Sequence, residues 1–152
     1  MLKQAFARLD ARLAAENQRR RSEGRPLLPR ATFRVLGQTA LIEAKLDLEL
    51  AATMDVDAVA QTFNEILSAT GQHWDPHSGE IWMPPETQYS SLFLGQYVEA
   101  LLARPEYVLI SKALKARDKN RNLIIEYLAK SPSELFLGLA QKYQVDLEWF
   151  LR

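Results

Sequence analysis

The sequence contains no cysteine. Disulfides, zinc fingers, iron–sulfur clusters and thiol catalysis are thereby excluded, and the absence fits a cytoplasmic protein. It also has no excess of charge of either sign, because 19 Lys and Arg residues balance 19 Asp and Glu. A strongly cationic nucleic-acid binder is therefore not expected as a property of the whole protein, although a local basic face remains open. No run approaches the roughly 20 apolar residues needed to cross a bilayer, so no membrane partner is expected. The N-terminal stretch alternates charged and apolar residues and lacks the apolar centre of a signal peptide. Neither a G-x-x-x-x-G-K-[ST] phosphate loop nor a G-x-S-x-G nucleophile elbow is present. Internal repeats and low-complexity segments are missing as well.

What remains is ordinary globular material. The 152 residues are 47% hydrophobic and 25% charged, which suits a single domain with a real core. Leu2, Phe6, Leu9 and Leu13 recur at helical spacing, so a first helix is predicted from Leu2 to Asn17. The stretch beginning at Arg19 (RRRSEGRPLLPRA) reads as a basic connector, solvated in preference to contacting phosphate or RNA. Thr32–Leu36 reads as a strand that ends at Gly37 and turns into a short helix. Thr53–Val59 alternates as a strand and passes into a helix near Ala58 or Val59, which Gly71 would end. A turn at Pro76–Gly79 and a short strand at Glu80–Met83 follow. Further strands are expected around Leu92–Leu94 and Tyr97–Leu101.

The C-terminal portion is helical. Pro105 stands at a first helical position ahead of Tyr107, Ile110 and Leu114. Residues 117–122 form a polar break before a helix marked by Leu123, Tyr127 and Leu128. Ser131-Pro-Ser-Glu134 reads as a helix start capped by Ser131, and a short last helix is expected near Asp146, burying Trp149 or Phe150. The predicted fold is α+β: a small mixed sheet flanked by helices, with an N-terminal helix and basic loop over 1–31, a sheet-containing core over 32–103 and a helical portion over 104–152.

Asp55-Val56-Asp57 lies on a predicted strand. Residues two apart on a strand share a face, roughly 7 Å apart. Two carboxylates on one face repel unless a cation sits between them, and a hard divalent ion such as Mg²⁺ suits oxygen ligands. The alternative is an exposed polar strand face. Gly37 adds context, since a glycine turn opening a helix lets the backbone approach a phosphate and offers free N–H groups to it.

These residues carry a resemblance. Gly37-Gln38-Thr39-Ala40-Leu41 followed by Thr53-Met-Asp55-Val-Asp57 resembles the signature of the minimal nucleotidyltransferase (polymerase-β-like) superfamily, in the branch containing the nucleotidyltransferase toxins of abortive-infection systems. The segment Arg104–Lys119 resembles a helix that packs beside the site in that branch. Together the similarity covers roughly residues 33–128. The resemblance implies a nucleotidyltransferase fold and Mg²⁺-dependent transfer of a nucleoside monophosphate from an NTP to an RNA (tRNA-like) or protein acceptor, in a toxin–antitoxin or defence setting with a cognate antitoxin or partner protein. It implies that Asp55 and Asp57 hold metal, that Gly37, Gln38 and Thr39 bind phosphates and that Lys112 contacts the nucleotide. Glu99 is the first choice for a third carboxylate, with Glu86 and Glu80 behind it. The sequence also departs from the pattern: Gln38 replaces a Gly or Ser, Leu50-Ala51-Ala52 replaces an Arg, and Asn120 replaces an acid. These departures keep open a catalytically degenerate member that acts as a binding or regulatory partner.

Three other groups stand out. Lys112, Lys115 and Lys119 share one helical face and would either neutralise phosphate or form a solvated stripe. His73 and His77 flank Trp74 and Asp75 in a potential metal loop without an evident third ligand. Trp82, Tyr89, Phe93 and Tyr97 would either stack on a base or fill the core.

Overall fold

The computed structural model describes residues 2–37, 40–41, 58–60 and 81–152. The helix α1 spans Leu2–Ser22 and buries Leu2, Phe6, Leu9 and Leu13, the stripe set by their spacing. It runs one turn further than the apolar periodicity predicts. The basic connector is therefore partly helical: Arg19 and Arg20 lie in the last turn, where they complement the helix dipole and pair with Glu16 at 2.6 and 3.0 Å. Gly24, at φ +67°, ends the turn that follows. The continuing chain is tied back to α1 by Asn17, a fully buried polar residue. Its amide donates to the Leu28 carbonyl (3.0 Å) and accepts from the Leu28 N–H (2.7 Å).

Four strands form one mixed sheet: β1 (Ala31–Val35), β2 (Ala58–Ala60), β3 (Tyr89–Leu94) and β4 (Val98–Ala103), in the order β2-β1-β4-β3. β1 pairs antiparallel with β2 and parallel with β4, while β3 and β4 form an antiparallel hairpin with an irregularity between Ser91 and Phe93. Alternation in β1 puts Ala31, Phe33 and Val35 on the buried side. The register sets Val98 beside Ala31 and Ala100 beside Phe33, so the same face continues into β4. α1 covers that face, with the Phe6 and Phe33 rings 5.4 Å apart. Strand continues through Ala60, so the change to helix predicted near Ala58 or Val59 does not occur there.

The hairpin and α1 meet at Asp10. Its carboxylate accepts from the backbone N–H groups of Gln96 (3.3 Å), Tyr97 (2.7 Å) and Val98 (2.9 Å). Gly95 packs against this carboxylate so tightly that a Cβ there would meet Asp10 Cγ at 2.5 Å.

Four helices follow: α2 (Pro105–Lys115), α3 (Arg121–Ala129), α4 (Glu134–Lys142) and α5 (Leu147–Leu151). Pro105 opens α2, Glu106 stands in its first turn and Lys112 and Lys115 in its last, each favourable to the helix dipole. α2 packs against α3 and α4, and α3 against α5. Phe136, Ile124 and Phe150 from these helices join the same buried cluster as α1 and the sheet. The architecture is thus α+β, as the element order predicts.

Two local expectations, the strand at 80–83 and the Ser131 cap, are corrected. Residues 81–83 are irregular, not strand: they pair with no strand among the described residues, and the Trp82 carbonyl is instead held by Ser111 of α2. The helix marked by Leu123, Tyr127 and Leu128 is present as α3, where these three pack half-buried beside the fully buried Ile124. The cap of α4 is Ser133, whose hydroxyl accepts from the Phe136 N–H at 3.2 Å, whereas Ser131 adopts φ +61° outside the helix. Ser133 Oγ also donates to Glu106 at 2.9 Å, a link to α2 that only this register allows.

Candidate functional site

β1 and β4 run parallel, so their C-terminal ends lie at one edge of the sheet. In sheets with parallel strands this edge is where crevices for ligands form. The chain leaving β1 reaches Gly37, whose φ of +62° is a left-handed conformation that glycine adopts without steric cost. A helical turn starts there, with the Ala40 N–H donating to the Leu36 carbonyl at 3.3 Å. The chain leaving β4 becomes α2.

A groove of about 410 Å³ is lined by Gly37, by residues 81–83 and by α2 from Val108 onward, within the size range of small-molecule sites. Gly37 stands at one end. The helical face of Val108, Ser111, Lys112 and Lys115, continued by Lys119, forms one wall, and Ile81, Trp82 and Met83 form the other. Three lysines thus line the groove, and no Asp or Glu does so among the described residues. Lys112 and Lys115 share a face of α2 as their spacing predicts; Lys119 lies beyond the end of the helix, in the turn that follows, and still reaches the groove.

The wall opposite α2 is fixed by several contacts. Ser111 Oγ, on buried helix surface, donates to the Trp82 carbonyl. The Trp82 indole meets the Tyr143 ring edge-on, with centroids 5.7 Å apart at 80°. The Tyr143 hydroxyl donates to Glu86, which also pairs with Lys142. Those two hydrogen bonds, Lys142 first, hold the Glu86 carboxyl down at about 2. Glu86 is therefore engaged in holding residues 81–88 against α4. Across the groove, Lys115 Nζ lies 5.2 Å from the centroid of the Trp82 ring, a cation–π contact of about 0.5–1 kcal/mol at an exposed site.

The remaining candidates fall as follows. Gly37 and Lys112 come together in the groove. Glu99 does not join them. It pairs with Thr32 near the start of both parallel strands, and the extended chain from Thr32 to Leu36 covers roughly 13 Å. Gln38, Thr39, Asp55, Asp57, His73, His77 and Glu80 lie outside the described residues, as do the predicted helix end at Gly71 and the turn at Pro76–Gly79. Among the described residues no group of three His, Asp or Glu side chains could hold a metal ion. The four aromatic candidates separate: Trp82 lines the groove, whereas Tyr89, Phe93 and Tyr97 pack against the core, with Arg34 over the Tyr89 ring at 5.8 Å. Ser111 has no sequence signal of its own beyond standing three residues before Leu114 on a buried face.

Among the described residues, no helix is long and apolar enough to cross a membrane. No protein-family model, no curated protein and no solved structure matches the chain.

Proposed function

We propose that the groove binds the triphosphate of an NTP and that the protein is nucleotidyltransferase-like. The observation that carries this reading is the groove itself, which joins a glycine turn of positive φ to a row of lysines, with no acidic residue among the described lining. Both elements suit phosphate: the backbone can approach closely at glycine, and ammonium groups offset the charge of the phosphate oxygens. Gly37 and Lys112 are also two of the four positions that the sequence resemblance assigns to phosphates and nucleotide, Gln38 and Thr39 lying outside the described residues. In the reaction this implies, an acceptor hydroxyl oxygen loses its proton to water and bonds to the α-phosphorus, the bond to the β-phosphate bridge breaks and pyrophosphate leaves. The lysines would hold the leaving pyrophosphate. Asp55 and Asp57 would hold Mg²⁺, whose chemistry is the neutralisation of phosphate charge. The acceptor is an RNA end or a protein, in a toxin–antitoxin or defence setting.

A second reading has an observation in its favour. Glu99 sits at the opposite end of its strand from the groove, so the described residues supply no third carboxylate there. On this reading the protein binds nucleotide and serves as a regulatory partner without transfer.

Calorimetry with each NTP in the presence of Mg²⁺ tests both. Lys112→Ala is expected to weaken binding about tenfold, equivalent to about 1.4 kcal/mol, and Asp55→Asn/Asp57→Asn to abolish its dependence on Mg²⁺. Labelled NTP incubated with tRNA or protein then separates the readings: incorporation supports the enzyme, and binding without incorporation supports the partner. A folded wild type that binds none of the four NTPs overturns both.

A further inference from the structure

The lysines account for one wall of the groove, and the other is aromatic. Trp82 is half-buried, and its lining position leaves part of the indole facing the groove. The ring is held in place on two sides. Its backbone is fixed through the Ser111 hydroxyl, and its side chain packs on the edge of Tyr143, which Glu86 fixes in turn. An aromatic ring so anchored loses little freedom when a planar group stacks on it. Among the described residues, the cation over the ring is the Lys115 ammonium, 5.2 Å from its centroid. Lysine is a flexible side chain, and an ammonium exchanges an aromatic face for a phosphate oxygen readily, because the second contact is charge-assisted.

A ligand that brings both an aromatic base and a phosphate chain would use this exchange. The phosphates draw Lys115 toward Lys112 and Lys119, and the uncovered indole accepts the base. We propose that Trp82 is the base platform of the groove and that Lys115 is the side chain that uncovers it. The ligand class is then a nucleoside triphosphate in preference to a bare polyphosphate. Stacking tolerates any base, since every base has a π face, so little discrimination among the four NTPs is expected. This inference rests on the phosphate-binding reading above.

The test compares ATP with inorganic tripolyphosphate by calorimetry, each with Mg²⁺. Wild type should bind ATP about tenfold more tightly than tripolyphosphate. Trp82→Leu should reduce ATP affinity about tenfold while leaving tripolyphosphate within about twofold. Trp82→Phe, which keeps a π face and the packing on Tyr143, should retain most of the ATP affinity and serves as the folded control. Equal binding of the two ligands by wild type, or loss of tripolyphosphate and ATP together in Trp82→Leu, overturns the platform but leaves phosphate binding intact. Failure of wild type to bind either ligand overturns the phosphate reading and the platform with it.

Discussion

Removing the Asp10 carboxylate should damage the hairpin in a way that a glycine substitution reproduces and that the two changes together do not double. Asp10 accepts three backbone N–H groups, those of Tyr97 and Val98 at 2.7 and 2.9 Å and that of Gln96 at 3.3 Å. Hydrogen bonds to a charged group contribute about 1.5–3 kcal/mol each. The Gln96 amide is exposed and water replaces its partner, so Asp10→Ala is expected to lose about 3 kcal/mol in all. Gly95→Ala acts on the same contact from the other side. Its Cβ would lie 2.5 Å from Asp10 Cγ and 2.6 Å from both oxygens. The carboxylate cannot withdraw without lengthening the two short hydrogen bonds, so this variant should lose about 2–3 kcal/mol by the same mechanism. With Asp10 already alanine the obstruction is gone, and Gly95→Ala should cost less than about 0.5 kcal/mol. The assay is urea unfolding of the four proteins. At a slope of about 2 kcal/mol per molar, Asp10→Ala lowers the midpoint by about 1.5 M. A coupling energy of about 2–3 kcal/mol is expected from the cycle, and additivity within about 0.5 kcal/mol would refute the reasoning.

Other consequences are simpler to check. Asn17→Leu leaves a buried N–H and a buried carbonyl of Leu28 without partners and should cost about 2–4 kcal/mol by chemical denaturation. Ser133→Ala should cost about 1 kcal/mol as a lost cap, whereas Ser131→Gly, at a left-handed position, should cost nothing or stabilise; the reverse order would move the cap back to Ser131. Glu86 titrates at about 2 instead of 4.5 because Lys142 and Tyr143 hold its charged form. Its contribution to stability is complete above about pH 4.5 and is lost as pH falls toward 2. The difference in thermal midpoint between wild type and Glu86→Gln should therefore shrink across that window, and a difference that does not change with pH would count against the ion pair.

Elements with a clear period were legible in the sequence. The stripe of Leu2, Phe6, Leu9 and Leu13 located α1, and Pro105 located the start of α2, because each is a local signal. Lys112 and Lys115 on α2 were legible for the same reason, since side-chain spacing on a helix is fixed by its pitch, whereas Lys119 falls past the helix end at Lys115. The groove was not legible, because it depends on residues 81–83 crossing to α2 through Ser111 and on Tyr143 arriving from the far end of the chain. Glu99 stood in a strand as expected, but its place along that strand follows from register with β1, which no local pattern encodes. The cap of α4 was read two residues early, since Ser131-Pro132 and Ser133 offer competing hydroxyls. What decides between them is the tertiary bond from Ser133 to Glu106.

The Asp10 contact also has a consequence for synthesis. The Tyr97 amide that Asp10 meets lies 87 residues further along the chain, and the sheet face covered by α1 is completed only when β4 is made. At about 5–20 residues per second, and over those 87 residues, the apolar stripe of α1 waits roughly 4–17 s for its partner. During that interval Leu2, Phe6, Leu9 and Leu13 form a sticky helix face on a growing chain. The α1 segment is therefore open to chaperone capture while the ribosome is still at work.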